Sequence, residues 1–242
     1  MTTISALLFD FGGTLDGPAH WLDRFLASYR AGGVEISRTE LDPAFDHATR
    51  TGYGATRIVA RFGLTDLVRF LVGHQFEYLR KGGPEQIRAT LEDSGAGGRH
   101  RLVEAVTNSF VRETSAGLAH SREVVGPLKS RFKLGVVSNF YGNLDRVLEE
   151  AKLDRFFTAV ADSSRVGIFK PDVGIFEAAV KKIQCPPGSV AMIGDSIGKD
   201  CAPARKLGMR TVWLCTEPRG VEDSGAADVT IRSIDEVARI QW

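Results

Sequence analysis

The chain has 242 residues, of which 43% are hydrophobic and 25% charged, a composition typical of folded proteins with a sizeable core. Its 31 basic and 30 acidic side chains nearly balance, which excludes a strong electrostatic footprint for nucleic acid or for an anionic membrane. The three cysteines form no close-spaced pair, which argues against a disulfide framework or a zinc site and favours a reducing cytoplasm.

The first residues lack the pattern expected of a secretion leader, because no basic residue precedes their apolar run. No window reaches the ~18 consecutive apolar residues of a membrane span. We therefore expect a cytoplasmic chain that is complete from its first residue. The first predicted element is a buried strand at 4–11, ISALLFDF, whose apolar run ends on a single carboxylate, Asp10.

Residues 17–118 hold no convincing strand and predict several helices. Apolar side chains recur there at the three- and four-residue spacing of a buried helix face. They include Trp21, Leu22, Phe25, Leu26, Tyr29, Ile58, Val59, Phe62, Leu67, Phe70, Leu71, Leu102, Val103, Val106 and Phe110. The pattern predicts a helical module, with boundaries in DGP at 16–18 and around TSAGLAH at 114–120.

The rest of the chain alternates strands with helices. Continuous apolar runs indicate strands covered on both faces, at 132–139, 157–164, 189–196, 210–215 and 227–231. Helical patterns lie among them at 142–152, 173–183 and 199–208. This alternation is typical of a doubly wound parallel sheet. We predict an α/β core of residues 1–16 and 119–242, with a helical domain of residues 17–118 inserted into it.

Polar residues suited to catalysis end three of the predicted strands. They are Asp10 on the first, Ser138 with Asn139 on the second, and Asp195 on the strand at 189–196. In open α/β sheets ligands bind outside the carboxyl ends of the strands, so these side chains are predicted to share one site. For any one of them alone, a turn or a helix cap would be an adequate explanation.

Four motifs strengthen that interpretation. In chain order they are DFGGTLD, VVSN, FKPDVGIF and MIGDSIGKDCAPARKLGM. In this order they resemble the four motifs of the haloacid dehalogenase (HAD) superfamily, and chance matches to four ordered motifs are rare. The resemblance implies a Rossmann-like core, a hydrolase, and an inserted helical cap that closes over the site.

The resemblance also implies a nucleophile and a metal site. Asp10 would attack phosphorus to form an aspartyl-phosphate. The carboxylates of Asp10 and Asp195 and the backbone carbonyl of Gly12 would bind Mg²⁺, which prefers oxygen ligands. Asp200 would be a further ligand position, or would orient a water molecule or Lys170 from one layer outside the metal.

Three further residues would contact the phosphoryl group. Ser138 and the amide of Asn139 would donate hydrogen bonds to a phosphoryl oxygen, and Lys170 would neutralise charge on the nucleophile and the transferring group. The expected substrate is a small, anionic, phosphorylated metabolite. Residues 17–118 contain twelve Arg and one Lys, which fits an anionic substrate, although twelve Asp and Glu are there to pair with them.

Gly12 departs from the superfamily pattern. Phosphatases of the superfamily usually have a second Asp two residues after the nucleophile, where it protonates the leaving group and then activates water. A positioned acid or base of this kind contributes about 10²- to 10⁴-fold in rate. Hydrolysis of ordinary alkyl phosphates is therefore predicted to be slow unless another group substitutes.

Three interpretations follow from Gly12, of which a phosphatase is favoured. Its substrate would have a good leaving group, or His20, Lys81 or Asp16 would supply the acid, unless Asp16 only caps the first inserted helix. Dehalogenases and phosphonatases of the superfamily also lack the second Asp. The Gly194–Asp195 pair in the fourth motif argues against a dehalogenase, and the location of Lys81, in no matching motif, argues against a phosphonatase. A weakly active or non-catalytic protein binding a phosphorylated ligand is disfavoured, because buried charges are costly to keep without one.

A competing motif is excluded by chain order. GDSIG, residues 194–198, fits the nucleophile elbow of esterases with Ser196 as the nucleophile. That mechanism needs a histidine after the serine, and all five histidines precede it.

Overall fold

A parallel sheet of six strands is formed within the part of the chain that the computed structural model describes, residues 3–93, 95–216, 225 and 227–242. The strands are β1 (Ala6–Phe9), β2 (Lys133–Ser138), β3 (Phe157–Asp162), β4 (Val190–Gly194), β5 (Arg210–Leu214) and β6 (Val229–Ile231). Their order is β3-β2-β1-β4-β5-β6. The predicted doubly wound α/β fold is confirmed, and each predicted strand contains one of these six.

The contacts divide the chain into two compact units. The first comprises the residues up to Pro18 together with Ser115–Trp242, and the second is Ala19–Thr114. The second unit is helical and contains α1 (Trp21–Ala31), α2 (Arg38–Gly54), α3 (Thr56–Val59), α4 (Leu64–Gly82), α5 (Glu85–Asp93) and the first part of α6 (Gly95–Leu128).

The boundary predicted around TSAGLAH, at 114–120, contains the division between the two units, which falls after Thr114. Helix α6 runs through this segment without a break. Gly117 marks a close approach of two backbone segments and no turn, because a Cβ on it would lie 2.3 Å from the carbonyl oxygen of Asp16. Ser121 binds the same segment, since its hydroxyl donates to the carbonyl of Leu15 over 2.7 Å. A glycine is therefore needed at this position so that the two segments can pack closely.

The interior of the helical unit is aromatic. The rings of Phe25 and Phe110 stack with centroids 4.2 Å apart, and Trp21 meets Phe110 edge-on at 5.1 Å. Arg24 is buried beside them, with its guanidinium 5.2 Å from the Phe110 ring and a 2.8 Å hydrogen bond to the hydroxyl of Thr114. This buried arginine therefore joins α1 to α6 inside the helical unit.

Helices of the first unit cover the sheet and complete its core. They are α7 (Leu144–Glu150), α8 (Ser163–Val166), α9 (Gly174–Ile183) and α10 (Ala202–Lys206). Helix α9 packs Ile175 and Phe176 into the cluster that holds Leu8 of β1 and Met192 of β4. The central strands are thus buried on both faces, as their unbroken apolar sequences predict.

None of the described helices combines the length and the apolar character that crossing a membrane requires.

Candidate active site

The candidate site lies where the strand order reverses. The chain runs from β1 outward through β2 to β3 and then returns to β4 on the other side of β1. Such a switch point opens a crevice at the carboxyl ends of the two central strands. Asp10 follows β1 and Asp195 follows β4, and the N–H of Asp10 donates to the carbonyl of Ile193 over 2.8 Å. The two acids therefore stand side by side.

The turn after β1 is shaped by Gly13. This residue has φ +79°, which an L side chain rarely adopts, and its N–H donates to Oδ1 of Asp16 over 2.8 Å. A Cβ at Gly13 would lie 2.4 Å from Oδ2 of Asp195, so the absence of a side chain gives room for that carboxylate. Gly12 has φ −72° and ψ 124°, values that any residue adopts.

Three carboxylates converge at this crevice. Asp10, Asp195 and Asp200 each offer an oxygen, and these oxygens lie within 4.8 Å of one another. Burial raises the pKa of Asp195 and of Asp200, and repulsion from the neighbouring carboxylates raises the pKa of both further. A cluster of this kind needs compensating positive charge, and its all-oxygen donor set fits a hard divalent cation.

The Asp200 carboxylate packs closely against the backbone of Gly194 and Ser196. A Cβ at Gly194 would lie 2.4 Å from Oδ2 of Asp200, and the same oxygen accepts from the N–H of Ser196 over 3.0 Å. The Asp200 side chain is fully buried. Its position is therefore fixed by the backbone around β4.

Lys170 supplies positive charge within the cluster. Its Nζ lies 2.7 Å from Oδ1 of Asp10 and 2.7 Å from Oδ1 of Asp200, and the residue is 5% exposed. Burial alone would lower the pKa of Lys170, but the charges of Asp10 and Asp200 outweigh burial and raise it above its ordinary value. Lys170 therefore stays charged and links Asp10 of the first motif to Asp200 of the fourth motif.

Asn139 positions Lys170. The Asn139 side chain accepts from the N–H of Lys170 through Oδ1 over 2.7 Å and donates from Nδ2 to the carbonyl of Lys170 over 3.0 Å. The sequence predicted only a backbone contact of Asn139 with substrate, so this side-chain role was missed. Ser138, which ends β2, is 4% exposed.

Replacing Asn139 with alanine is expected to lower the free energy of unfolding by about 1–3 kcal/mol, because two backbone groups of Lys170 lose their partners. Urea denaturation measures the change. Asn108→Ala is the matched control, since Asn108 is exposed on α6 and its replacement should change stability by less than about 0.5 kcal/mol. Equal losses for both variants would contradict the assigned role.

Asp162 is a second residue that the sequence analysis missed. Its carboxylate accepts from the N–H groups of Gly142 and Leu144, at 2.8 and 3.1 Å, and so fixes the loop that follows Ser138. Burial raises the pKa of Asp162 despite these bonds. The available signal was an acid at the end of a predicted strand, the same signal that identified Asp10 and Asp195.

The structure gives His20 and Asp16, two of the three candidates for the missing general acid, roles in local backbone structure. His20 caps α1, because its Nδ1 accepts from the N–H of Leu22 over 3.2 Å, so the prediction that Asp16 caps the first inserted helix was wrong. Asp16 instead accepts from Gly13 and closes the turn after β1. Lys81 is exposed near the end of α4.

A family model of the haloacid dehalogenase-like hydrolases matches residues 4–208. Among curated proteins, pyrimidine 5′-nucleotidase YjjG of Escherichia coli is 28% identical over 142 residues, which cover 58% of this chain and 63% of that protein. Phosphoserine phosphatase of Thermus thermophilus is 30% identical over 160 residues, which cover 62% of this chain and 61% of the phosphatase. Both matches thus span slightly less than two thirds of the relative.

Solved structures share the fold at lower identity. A crystal structure described as that of a dehalogenase superposes with a TM-score of 0.64 at 17% identity, covering 100% of this chain and 98% of the other. At this identity the likeness concerns the fold.

Proposed function

The chain belongs to the haloacid dehalogenase-like hydrolase family, and on that premise we propose that it is a Mg²⁺-dependent phosphatase. Its substrate would be a small phosphorylated metabolite, hydrolysed through an aspartyl-phosphate at Asp10. One observation carries the proposal: the Lys170 ammonium bridges Asp10 and Asp200 at the edge of the three-carboxylate cluster. The names of its curated relatives, which include a nucleotidase and a phosphatase, also support it.

The metal would be held by the carboxylates of Asp10 and Asp195 and by the carbonyl of Gly12. Bound there, Mg²⁺ would supply positive charge toward the phosphoryl oxygens. The raised pKa values of Asp195 and Asp200 support this, because such a cluster is costly without a cation. The two hydrogen bonds of Asp200 to Lys170 and Ser196 favour its role as the residue that orients Lys170.

The residues of this chain would divide the chemistry as follows. A carboxylate oxygen of Asp10 attacks phosphorus while the bond from phosphorus to the leaving oxygen breaks, and the leaving group departs with the electron pair. Ser138 and the N–H of Asn139 donate hydrogen bonds to the phosphoryl oxygens, and Lys170 balances their charge. Water then hydrolyses the aspartyl-phosphate and releases inorganic phosphate and free Asp10.

The helical insertion would serve as a cap and set specificity. We assign residues 17–118 to this cap and residues 1–16 and 119–242 to the core, close to the two units found from contacts. Several cap arginines are paired with carboxylates, among them Arg69 with Glu104 and Arg80 with Glu77. These paired arginines are therefore less available to an anionic substrate than the count of twelve suggests.

Removal of divalent metal is expected to abolish phosphate release from acetyl phosphate, and added Mg²⁺ should restore it. Acetyl phosphate is the preferred probe because acetate is a good leaving group and needs little protonation in the absence of a second Asp. Phosphate release with and without EDTA measures the effect. Halide release from 2-haloacids without metal, alongside inactivity toward a broad panel of phosphates, would instead make the chain a dehalogenase.

A further inference from the structure

Trp213 lies directly beside the acid cluster although none of the sequence motifs includes it. It belongs to β5 and pairs in register with Gly194, the residue before Asp195. Its side chain is 4% exposed, and its indole Nε1–H donates to the backbone carbonyl of Asp195 over 2.9 Å. Asp195 directly follows the last residue of β4, so this hydrogen bond extends the contact between β4 and β5 by one residue beyond the strand.

Trp213 is also linked to Asp200, the second acid of the fourth motif, because it shares a buried cluster with the residue that follows Asp200. Trp213 packs in a buried cluster with Cys201 and Cys215, and Ile197 lies against that cluster. Cys201 directly follows Asp200. The turn from Ile197 to Cys201, which carries Asp200, therefore packs through its two end residues on the cluster that contains Trp213.

Asp195 is thus fixed at both of its ends. Its carboxylate lies against Gly13, where no side chain could fit, and its carbonyl receives the indole hydrogen bond. A shift of the Asp195 carbonyl would also move its carboxylate, because both groups belong to one residue. The carboxylate packs closely against Gly13 and has little room to adjust. Mg²⁺ requires nearly ideal octahedral geometry and tolerates little displacement of its ligands.

From these contacts we propose that Trp213 is a positioning residue for the cation site, one that sets the placement of Asp195 and Asp200. The proposal rests on the metal site of the proposed function. Trp213 is not among the residues that would bind the cation. It acts through one hydrogen bond to Asp195 and through packing beneath the turn that bears Asp200.

Direct binding of Mn²⁺, followed through the electron paramagnetic resonance signal of the free ion, tests the proposal without measuring activity. Trp213→Phe keeps most of the apolar packing and removes one hydrogen bond, so its affinity for Mn²⁺ should fall about two- to tenfold. Trp21→Phe is the matched control, a buried tryptophan of the helical unit, and its affinity should equal that of the wild type. Displacement of Mn²⁺ by Mg²⁺ should rank the Mg²⁺ affinities of the three proteins in the same order.

Two results would overturn the proposal in different ways. Equal Mn²⁺ affinity of Trp213→Phe and wild type, even with a lowered melting temperature, would leave Trp213 a packing residue only and leave the proposed function intact. Absence of Mn²⁺ and Mg²⁺ binding by the wild type would remove the metal site, and with it both proposals.

A second measurement decides the matter if Trp213→Phe does not fold. In the Trp21→Phe/Trp242→Phe variant the indole of Trp213 is the sole tryptophan fluorophore. Saturating Mg²⁺ should shift its emission, with a midpoint equal to that of cation binding, because the indole is bonded to Asp195. An emission spectrum unchanged at saturating Mg²⁺ would overturn the proposal.

Discussion

Asp10→Asn should lower phosphate release from acetyl phosphate by about 10⁴-fold or more. The amide has the shape of the carboxylate but is neutral and a poor nucleophile, so no acyl-phosphate forms. Asp10 is 6% exposed and Oδ1 accepts from the N–H of Phe11 over 2.7 Å, so the carboxylate is already oriented before substrate arrives. Steady-state assays at saturating Mg²⁺, together with trapping of phosphorylated protein from labelled substrate, measure the loss.

The control for Asp10→Asn is Asp145→Asn. Asp145 pairs with Arg165 at the surface, and both side chains are 47% exposed, so its neutralisation should change activity little. Thermal unfolding of both variants checks that the fold is retained. Should Asp10→Asn keep more than about a tenth of the wild-type rate with an intact fold, the covalent mechanism would have to be abandoned.

Gly12→Asp is expected to raise turnover of alkyl phosphates by about 10²- to 10⁴-fold, the contribution of a well-placed general acid and base. The backbone of Gly12 already adopts φ −72° and ψ 124°, so an aspartate there introduces no backbone strain. Turnover of acetyl phosphate should change little, because its leaving group needs no proton. Parallel assays of a sugar phosphate and acetyl phosphate measure this divergence.

Gly12→Asn separates proton transfer from shape. Its side chain matches that of aspartate in size but does not exchange a proton, so alkyl phosphates should remain slow substrates. Rapid turnover of alkyl phosphates by the unmodified protein would show that another group already serves as the acid, and the importance given to Gly12 would then be wrong.

The strands and the converging acids could be predicted because both depend on local sequence. An unbroken apolar run such as Leu7–Phe9 is stable as a strand only when both faces are covered, and a parallel sheet then brings Asp10 and Asp195 to one edge. The order of the motifs supplied Lys170, whose surroundings no local pattern reveals. The strands and acids thus follow from neighbouring residues, and Lys170 follows from the fixed order of the motifs along the chain.

The supporting contacts were missed because they join distant parts of the chain. Asn139 is 31 residues from Lys170, and nothing near either residue indicates that an amide side chain would bind that backbone. Trp213 appeared only as an apolar residue of β5, and its indole bond to Asp195 depends on the register of two strands. The packing role of Gly117 was missed for a related reason, since the crowding beside Asp16 exists only after folding.

The contacts of Gly13 and Gly194 give a way to recognise homologues of this protein that have lost the site. A methyl group at either position would lie 2.4 Å from a carboxylate oxygen, of Asp195 or Asp200 respectively. A descendant with alanine at one of these sites would keep all three aspartates in its sequence while their oxygens were driven apart. Genome surveys that count only the acids would classify such a chain as intact, whereas an alanine at position 13 or 194 would indicate that the proposed cation site is disturbed.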